Sequence, residues 1–188
     1  MSSFSSLLVD IGGTNMRYAY ANKRNISEEK ILSNISDQKI NKTLGNLLSN
    51  PQIKNAVIAA AGPRLGNRIE MTNRKVIVDG DLIGKKFKLA NSQVLNDWEA
   101  VGYAIDEMKL KKIKKGKSKS NVDLMIGPGT GLGFAIVADG KVIPTEIGNT
   151  KLHSKLLLNN LGIRPSKFFS DLEDVISGPS ISRAYQSR

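Results

Sequence analysis

Leu7-Leu8-Val9-Asp10-Ile11-Gly12-Gly13-Thr14-Asn15 is an apolar run that breaks into two glycines and a threonine. The same grammar returns far downstream, where Val122-Asp123-Leu124-Met125-Ile126 leads into Gly127-Pro128-Gly129-Thr130-Gly131-Leu132-Gly133. A strand ending in glycine brings backbone N–H groups close to a ligand with no Cβ in the way. Concave runs of such groups, with a hydroxyl beside them, favour phosphate oxygens. Two such loops predict a nucleotide held between two lobes of an α/β protein.

Around these loops the pattern alternates between strand and helix. Strands are expected at Phe4–Val9, Met16–Ala21 and Ile26–Ser33. A helix follows with Ile40, Leu44, Leu47 and Leu48 on one face, Asp37 placed to cap it and Asn50-Pro51 to stop it. Ala56–Ala61 reads as a buried strand, then come short extended pieces at 68–71 and 75–78 and a small helix at about Asp79–Phe87. Ser92–Leu95 delivers Asn96-Asp97 to the mouth of a helix over Trp98–Met108. After a lysine-rich stretch the pattern starts again, with strands at Val122–Ile126, Phe134–Ala138 and Val142–Ile143. Helical signals follow at Ser154–Leu161, Lys167–Ile176 and beyond Gly178-Pro179. The expected organisation is a small α/β domain over residues 1–109, a linker at 110–120, and part of a larger domain over 121–188.

The 188 residues carry a net charge of +11, which invites a nucleic-acid reading. Its distribution argues against one. Seven of the lysines fall between Lys109 and Lys119, where there is no acid and no aromatic residue to stack on a base. A solvated linker is the expected role. No apolar run approaches the ~20 residues that span a bilayer, and Leu7-Leu8-Val9 has no basic flank of the signal-peptide kind. The absence of cysteine excludes disulfides, thiolate nucleophiles and cysteine–zinc sites. A cytoplasmic protein without membrane or nucleic-acid partners is expected.

Asp10, beside the first loop, suits either a turn or the water shell of a magnesium ion on nucleotide phosphates. Asp97 suits either a helix cap or a base that takes the proton of an attacking hydroxyl. The strand before it points into the cleft where α/β sheets bind ligands, which favours the base. Glu146 and Glu173 read, from their neighbours alone, as solvated surface charges. His153 is the single histidine, with nothing of a hydrolytic triad around it. The second loop lacks the lysine of a Walker loop.

Six blocks together resemble the bacterial glucokinases of the hexokinase–actin ATPase superfamily. They are Asp10 to Asn15 with Arg17 and Ala19; Ala61-Gly62-Pro63 with Met71-Thr72-Asn73; Leu95 to Ala100; Gly127 to Gly133; Pro144 to Asn149; and Glu173 to Pro179. They run in the family's order over nearly the whole chain. The resemblance implies a two-lobed ribonuclease H-like α/β fold of the actin/hexokinase ATPase type. It implies ATP-dependent phosphorylation of glucose at its 6-hydroxyl, the first step of glycolysis, by a chain compatible with a homodimer. Asp97 would then be the catalytic base, and Asn96, Asp97, Glu146, Asn149 and Glu173 would bind the sugar. Val9, Asp10, Ile11, Gly12, Gly13 and Thr14, with Gly127, Gly129, Thr130 and Gly131, would surround the ATP phosphates, and Asp10 would hold Mg2+ through water.

Two departures qualify this. The family's second sugar block reads Glu-Gly-Gly-His where this chain has Glu146-Ile147-Gly148-Asn149, which predicts strain at Ile147 if the position needs a positive φ. The family's chains also continue past the counterpart of Arg188, through the adenosine-binding part of the large domain. The expectation is an incomplete second lobe with exposed apolar sheet edges and weak or absent turnover. A non-catalytic remnant or sugar-binding module is the alternative, and a basic nucleic-acid-binding protein the remote one.

Overall fold

The computed structural model describes residues 4–23, 25–115 and 120–186, with the side chains of 152–154 also left aside. Residues 116–119 of the expected linker lie outside these. The chain divides into two compact units, Met1–Ala100 and Val101–Arg188, whereas the sequence reading places the linker at 110–120.

Unit 1 is built on a five-stranded sheet. Its strands are β1 (Ser6–Ile11), β2 (Met16–Ala21), β3 (Lys30–Leu32), β4 (Asn55–Ala60) and, further on, Asn91–Asn96. The spatial order is β3-β2-β1-β4 and then Asn91–Asn96 at the far edge. β2 runs antiparallel to β1 and β3, while β4 lies parallel to both β1 and Asn91–Asn96. Alternation in β1 buries Leu7, Val9 and Ile11 on one face. Against that face packs α1 (Asp37–Leu48), through Ile40, Leu44 and Leu48. Three short strands, β5 (Arg64–Leu65), β6 (Arg68–Glu70) and β7 (Ile77–Asp79), form a second sheet. It adds Ile69 and Val78 to the same core. Helix α2 (Gly80–Phe87) follows, capped by Asp79, whose side chain accepts from Leu82 N at 2.9 Å. The edge strand Asn91–Asn96, β8, then runs directly into α3 (Asp97–Tyr103).

Three expectations change in unit 1. The strand expected over Ile26–Ser33 is reduced to β3 and a single bridge between Ala21 and Ile26. Ser27 Oγ accepts the Tyr20 N–H at 2.9 Å, so a side chain takes a bond the ladder would have used. Ser36, not Asp37, caps α1, accepting from Lys39 N, while Asp37 stands in the first turn and pairs with Arg74 at 3.0 Å. The helix expected over Trp98–Met108 ends at Tyr103 and tightens into a 3-10 turn at Ile105–Glu107.

Unit 2 holds an antiparallel sheet in the order β11-β10-β9, from β9 (Val122–Pro128), β10 (Leu132–Ala138) and β11 (Lys141–Pro144). The β10–β11 turn is Asp139-Gly140, both at positive φ (49° and 73°), the conformation that suits a two-residue hairpin. A separate cluster of Leu158, Ile163, Phe169, Val175 and Ala184 joins α4 (Lys151–Leu161), α5 (Glu173–Ile176) and α6 (Gly178–Gln186). Helix was expected from Lys167, yet only Glu173–Ile176 forms. The Asp174 carboxylate accepts from Ser170 Oγ (2.7 Å) and Ser170 N (2.9 Å), and this local turn displaces the helical bonds. In β9, Val122, Leu124 and Ile126 are exposed. No helix among the described residues is long and apolar enough to cross a membrane.

Candidate functional site

The first glycine loop closes the β1–β2 hairpin, where Gly12 N donates to Asn15 O at 2.9 Å. Gly13 and Thr14 are exposed, and their backbone N–H groups have no partner among the described residues. Val9 and Ile11 are buried in the core, which leaves their backbone as what they can offer a ligand. Asp10 lies on the opposite face of β1, with Arg17 Nη1 at 3.0 Å. On that face a cavity of about 330 Å3 is lined by Leu8, Asp10, Arg17, Ala19, Val57 and Ala59, and it shares only Val9 and Asp10 with the expected site.

Arg74, which sequence reasoning passed over, anchors this loop. Its guanidinium donates to Gly12 O (3.0 Å), Ile35 O (2.8 Å) and Asp37 Oδ1 (3.0 Å), and its side chain is almost buried. The Arg74 hydrogen bond, with help from Lys75 N, holds the Asp37 carboxyl below its ordinary range.

At the other expected centre, Asn96 ends β8 and caps α3. Its Oδ1 accepts from Trp98 N (2.9 Å) and Glu99 N (3.1 Å), while Glu99 Oε2 accepts in return from Asn96 N (3.2 Å). This is a reciprocal capping box, with asparagine in the place of serine or threonine. Asn96 Nδ2 donates to Gly62 O at 2.9 Å, which ties together two of the blocks quoted above. Asp97 sits inside the box. One of its carboxylate oxygens accepts from Trp98 N at 2.9 Å, and no cation pairs with it among the described residues. Burial, and behind it the negative charge of Asp10, hold the Asp97 carboxyl above its ordinary range against the lowering effect of the Trp98 N–H. A carboxyl whose proton affinity is raised toward neutrality is suited to general base work.

Unit 2 gathers its own blocks. Glu173 Oε2 accepts from Leu132 N at 2.8 Å, which places the carboxylate against the second glycine loop. A Cβ on Gly131 would come within 2.6 Å of that oxygen, so a larger residue there would push the Glu173 carboxylate out of this position. Gly178 N donates to Gly129 O at 2.9 Å, fastening the start of α6 to the same loop. Glu146 and Asn149 flank a single 3-10 turn in which Asn149 N donates to Glu146 O, and buried Gly148 packs on Leu132 and Glu173. Ile147 is not among the residues at positive φ, so the strain considered for it does not arise. The Thr130 and Gly131 N–H groups, like those of Gly13 and Thr14, have no partner among the described residues.

Each loop thus offers unpaired donors of the kind a phosphate uses. Among the described residues no three acidic or histidine side chains cluster as a metal site. Asp10 alone fits a magnesium ion held chiefly by phosphates and water.

The β3-β2-β1-β4-β8 sheet, the hairpin loop between its first strands and the second glycine loop define the actin-like ATPase fold shared by glucokinases and hexokinases. The glucokinase family profile matches residues 7–187, and the chain belongs to that family. A glucokinase of Zymomonas mobilis subsp. mobilis is 28% identical over 203 positions, covering 95% of this chain and 62% of its own length. A glucokinase of Campylobacter jejuni subsp. doylei is 32% identical over 71% of this chain and 42% of its own. Of solved structures, a glucokinase from an Antarctic psychrotroph superposes with a TM-score of 0.68 at 28% identity, over 99% of this chain and 64% of that one. The glucokinase of Balamuthia mandrillaris in complex with glucose gives 0.70 at 20% identity, over 98% and 62%. This chain therefore spans between 42% and 64% of the length of these relatives.

Proposed function

We propose that the chain binds glucose and ATP and transfers the terminal phosphoryl group to the sugar's 6-hydroxyl. One observation carries the reading: Asp97 is a half-buried carboxylate with raised proton affinity and no cation partner among the described residues, fixed at the mouth of α3. Asp97 takes the hydroxyl proton as the hydroxyl oxygen bonds to the γ-phosphorus and the bond to the bridging β–γ oxygen breaks, which releases ADP. Asn96, Glu146, Asn149 and Glu173 accept from or donate to the other sugar hydroxyls. Gly13, Thr14, Thr130 and Gly131 receive the phosphates through their backbone N–H groups, Gly12, Gly127 and Gly129 shape the two loops around them, and Asp10 would hold water on Mg2+. The metal, when bound, neutralises charge developing on the phosphate oxygens.

A coupled assay of the purified chain with ATP, magnesium and glucose tests this. Turnover of ~1–10³ per second is the ordinary enzyme range, and Asp97→Asn should lower it by at least about 10²-fold. A second reading, sugar binding without turnover, is favoured by the exposed Val122, Leu124 and Ile126 of the three-stranded sheet in unit 2. Glucose binding with no ADP release would select it. Neither binding nor turnover would overturn both.

A further inference from the structure

Glu99 is the buried acid that the proposed reaction leaves without a role. Its side chain is 1% exposed, and it lies two residues beyond Asp97. A carboxylate this deep requires paired charge and satisfied lone pairs. Arg64 supplies the charge through a fork: Nε stands 2.8 Å from Oε2, and Nη2 donates to Oε1 at 2.9 Å. Such two-point pairing fixes direction as well as distance. The remaining donor is Asn96 N–H, 3.2 Å from Oε2. Arg64 is held in turn by its own hairpin, where Nη1 donates to Gly66 O at 2.8 Å.

The geometry points to Glu99 and Arg64 as a positioning pair that aims the Asn96 and Asp97 side chains at the sugar. The pair acts through the chain on both sides of Asp97. Glu99 holds Asn96 N–H on one side, and Asn96 Oδ1 holds the Trp98 and Glu99 N–H groups on the other. The backbone of Asp97 is thereby fixed, and with it the direction of its Cα–Cβ bond. Arg64 anchors this box to the β5–β6 hairpin, 35 residues away in sequence. The inference rests on the reading of Asn96 and Asp97 as sugar-binding residues.

Isothermal titration of the whole 188-residue chain with glucose tests it, because binding is read without turnover. Glu99→Gln keeps the size and an acceptor but removes the charge, and Arg64→Ala removes the fork. Each should weaken glucose binding by about tenfold or more, with Arg64→Lys recovering part of the loss. The double variant should be no worse than the weaker single, since the two side chains act as one unit. Asp79→Ala removes the cap of α2 in the same unit and controls for stability. It should lower Tm while leaving glucose affinity where it was. Wild-type binding matched by Glu99→Gln and Arg64→Ala, or an affinity loss equal to that of Asp79→Ala, overturns the positioning role alone. A wild-type chain that takes up no glucose overturns the functional reading and this inference with it. Should Glu99→Gln fail to fold, Arg64→Lys against Arg64→Ala carries the same comparison.

Discussion

Asp97 is a carboxylate that holds its proton more tightly in the folded chain than in the unfolded one, and this has a consequence for stability as well as chemistry. Its pKa is raised in the folded state, so stability is fullest at pH values low enough that folded and unfolded chains are both protonated. It falls as pH rises through the ordinary carboxylate range toward the raised value. Asp97→Asn removes that dependence. Thermal melts across pH should show the variant with the higher Tm at neutral pH and the two chains converging in acid. A gain that grew toward acid would contradict the burial and Asp10 effects assigned to this group.

Two short helices each present a proposed sugar-binding carboxylate beside a turn built by its neighbours. Asp97 lies between Asn96 and Glu99, which exchange side-chain and backbone bonds, while Glu173 precedes Asp174 in the Asp171–Asp174 turn. In that second turn Asp171 Oδ1 accepts from Asp174 N at 3.0 Å, and Asp174 accepts from Ser170. Burial raises the Asp174 carboxyl, but the bonds it accepts from Ser170 and from the Asp171 N–H outweigh it, and its net position is low. The second glycine loop depends on α6 as well as on Glu173. A Cβ on Gly178 would stand 2.9 Å from Gly129 O, a backbone atom with little freedom to yield. Gly178→Ala should therefore cost about 1–3 kcal/mol of stability, measured by urea unfolding, and should weaken nucleotide binding measured separately by titration. Retained affinity would mean that the contact between α6 and the loop does not shape the phosphate site. These elements differ in how far the sequence disclosed them. Glycines and threonine after an apolar run announce the loops through purely local chemistry. The Asn96-x-x-Glu99 spacing is a capping signal that was passed over when the cap was given to Asp97 instead of Asn96. The Arg64–Glu99 and Arg74–Gly12 ties were not legible, because they join residues 35 and 62 apart with no periodicity to connect them.

At the scale of the molecule, the charge that suggested nucleic acid is concentrated in one stretch of sequence. The described lysines of 109–115 are exposed and belong to no helix or strand. Trypsin at low ratio should cut there first and yield two persistent fragments separated between Lys109 and Lys115. Early cleavage inside β1–β4 instead would contradict the compactness of unit 1. The α/β character was readable because strand alternation and loop chemistry recur once per unit, while the two-lobed fold class came from the resemblance of the six blocks. The short β5–β7 sheet was less readable, since its two- and three-residue strands carry too few side chains to show a period. The chain has a single tryptophan, Trp98, and its backbone N–H is the group donated both to the Asn96 cap and to Asp97. The protein's entire indole emission therefore originates at one residue of the α3 turn. Ultraviolet fluorescence gives a label-free optical gauge of that turn, free of background from any other indole.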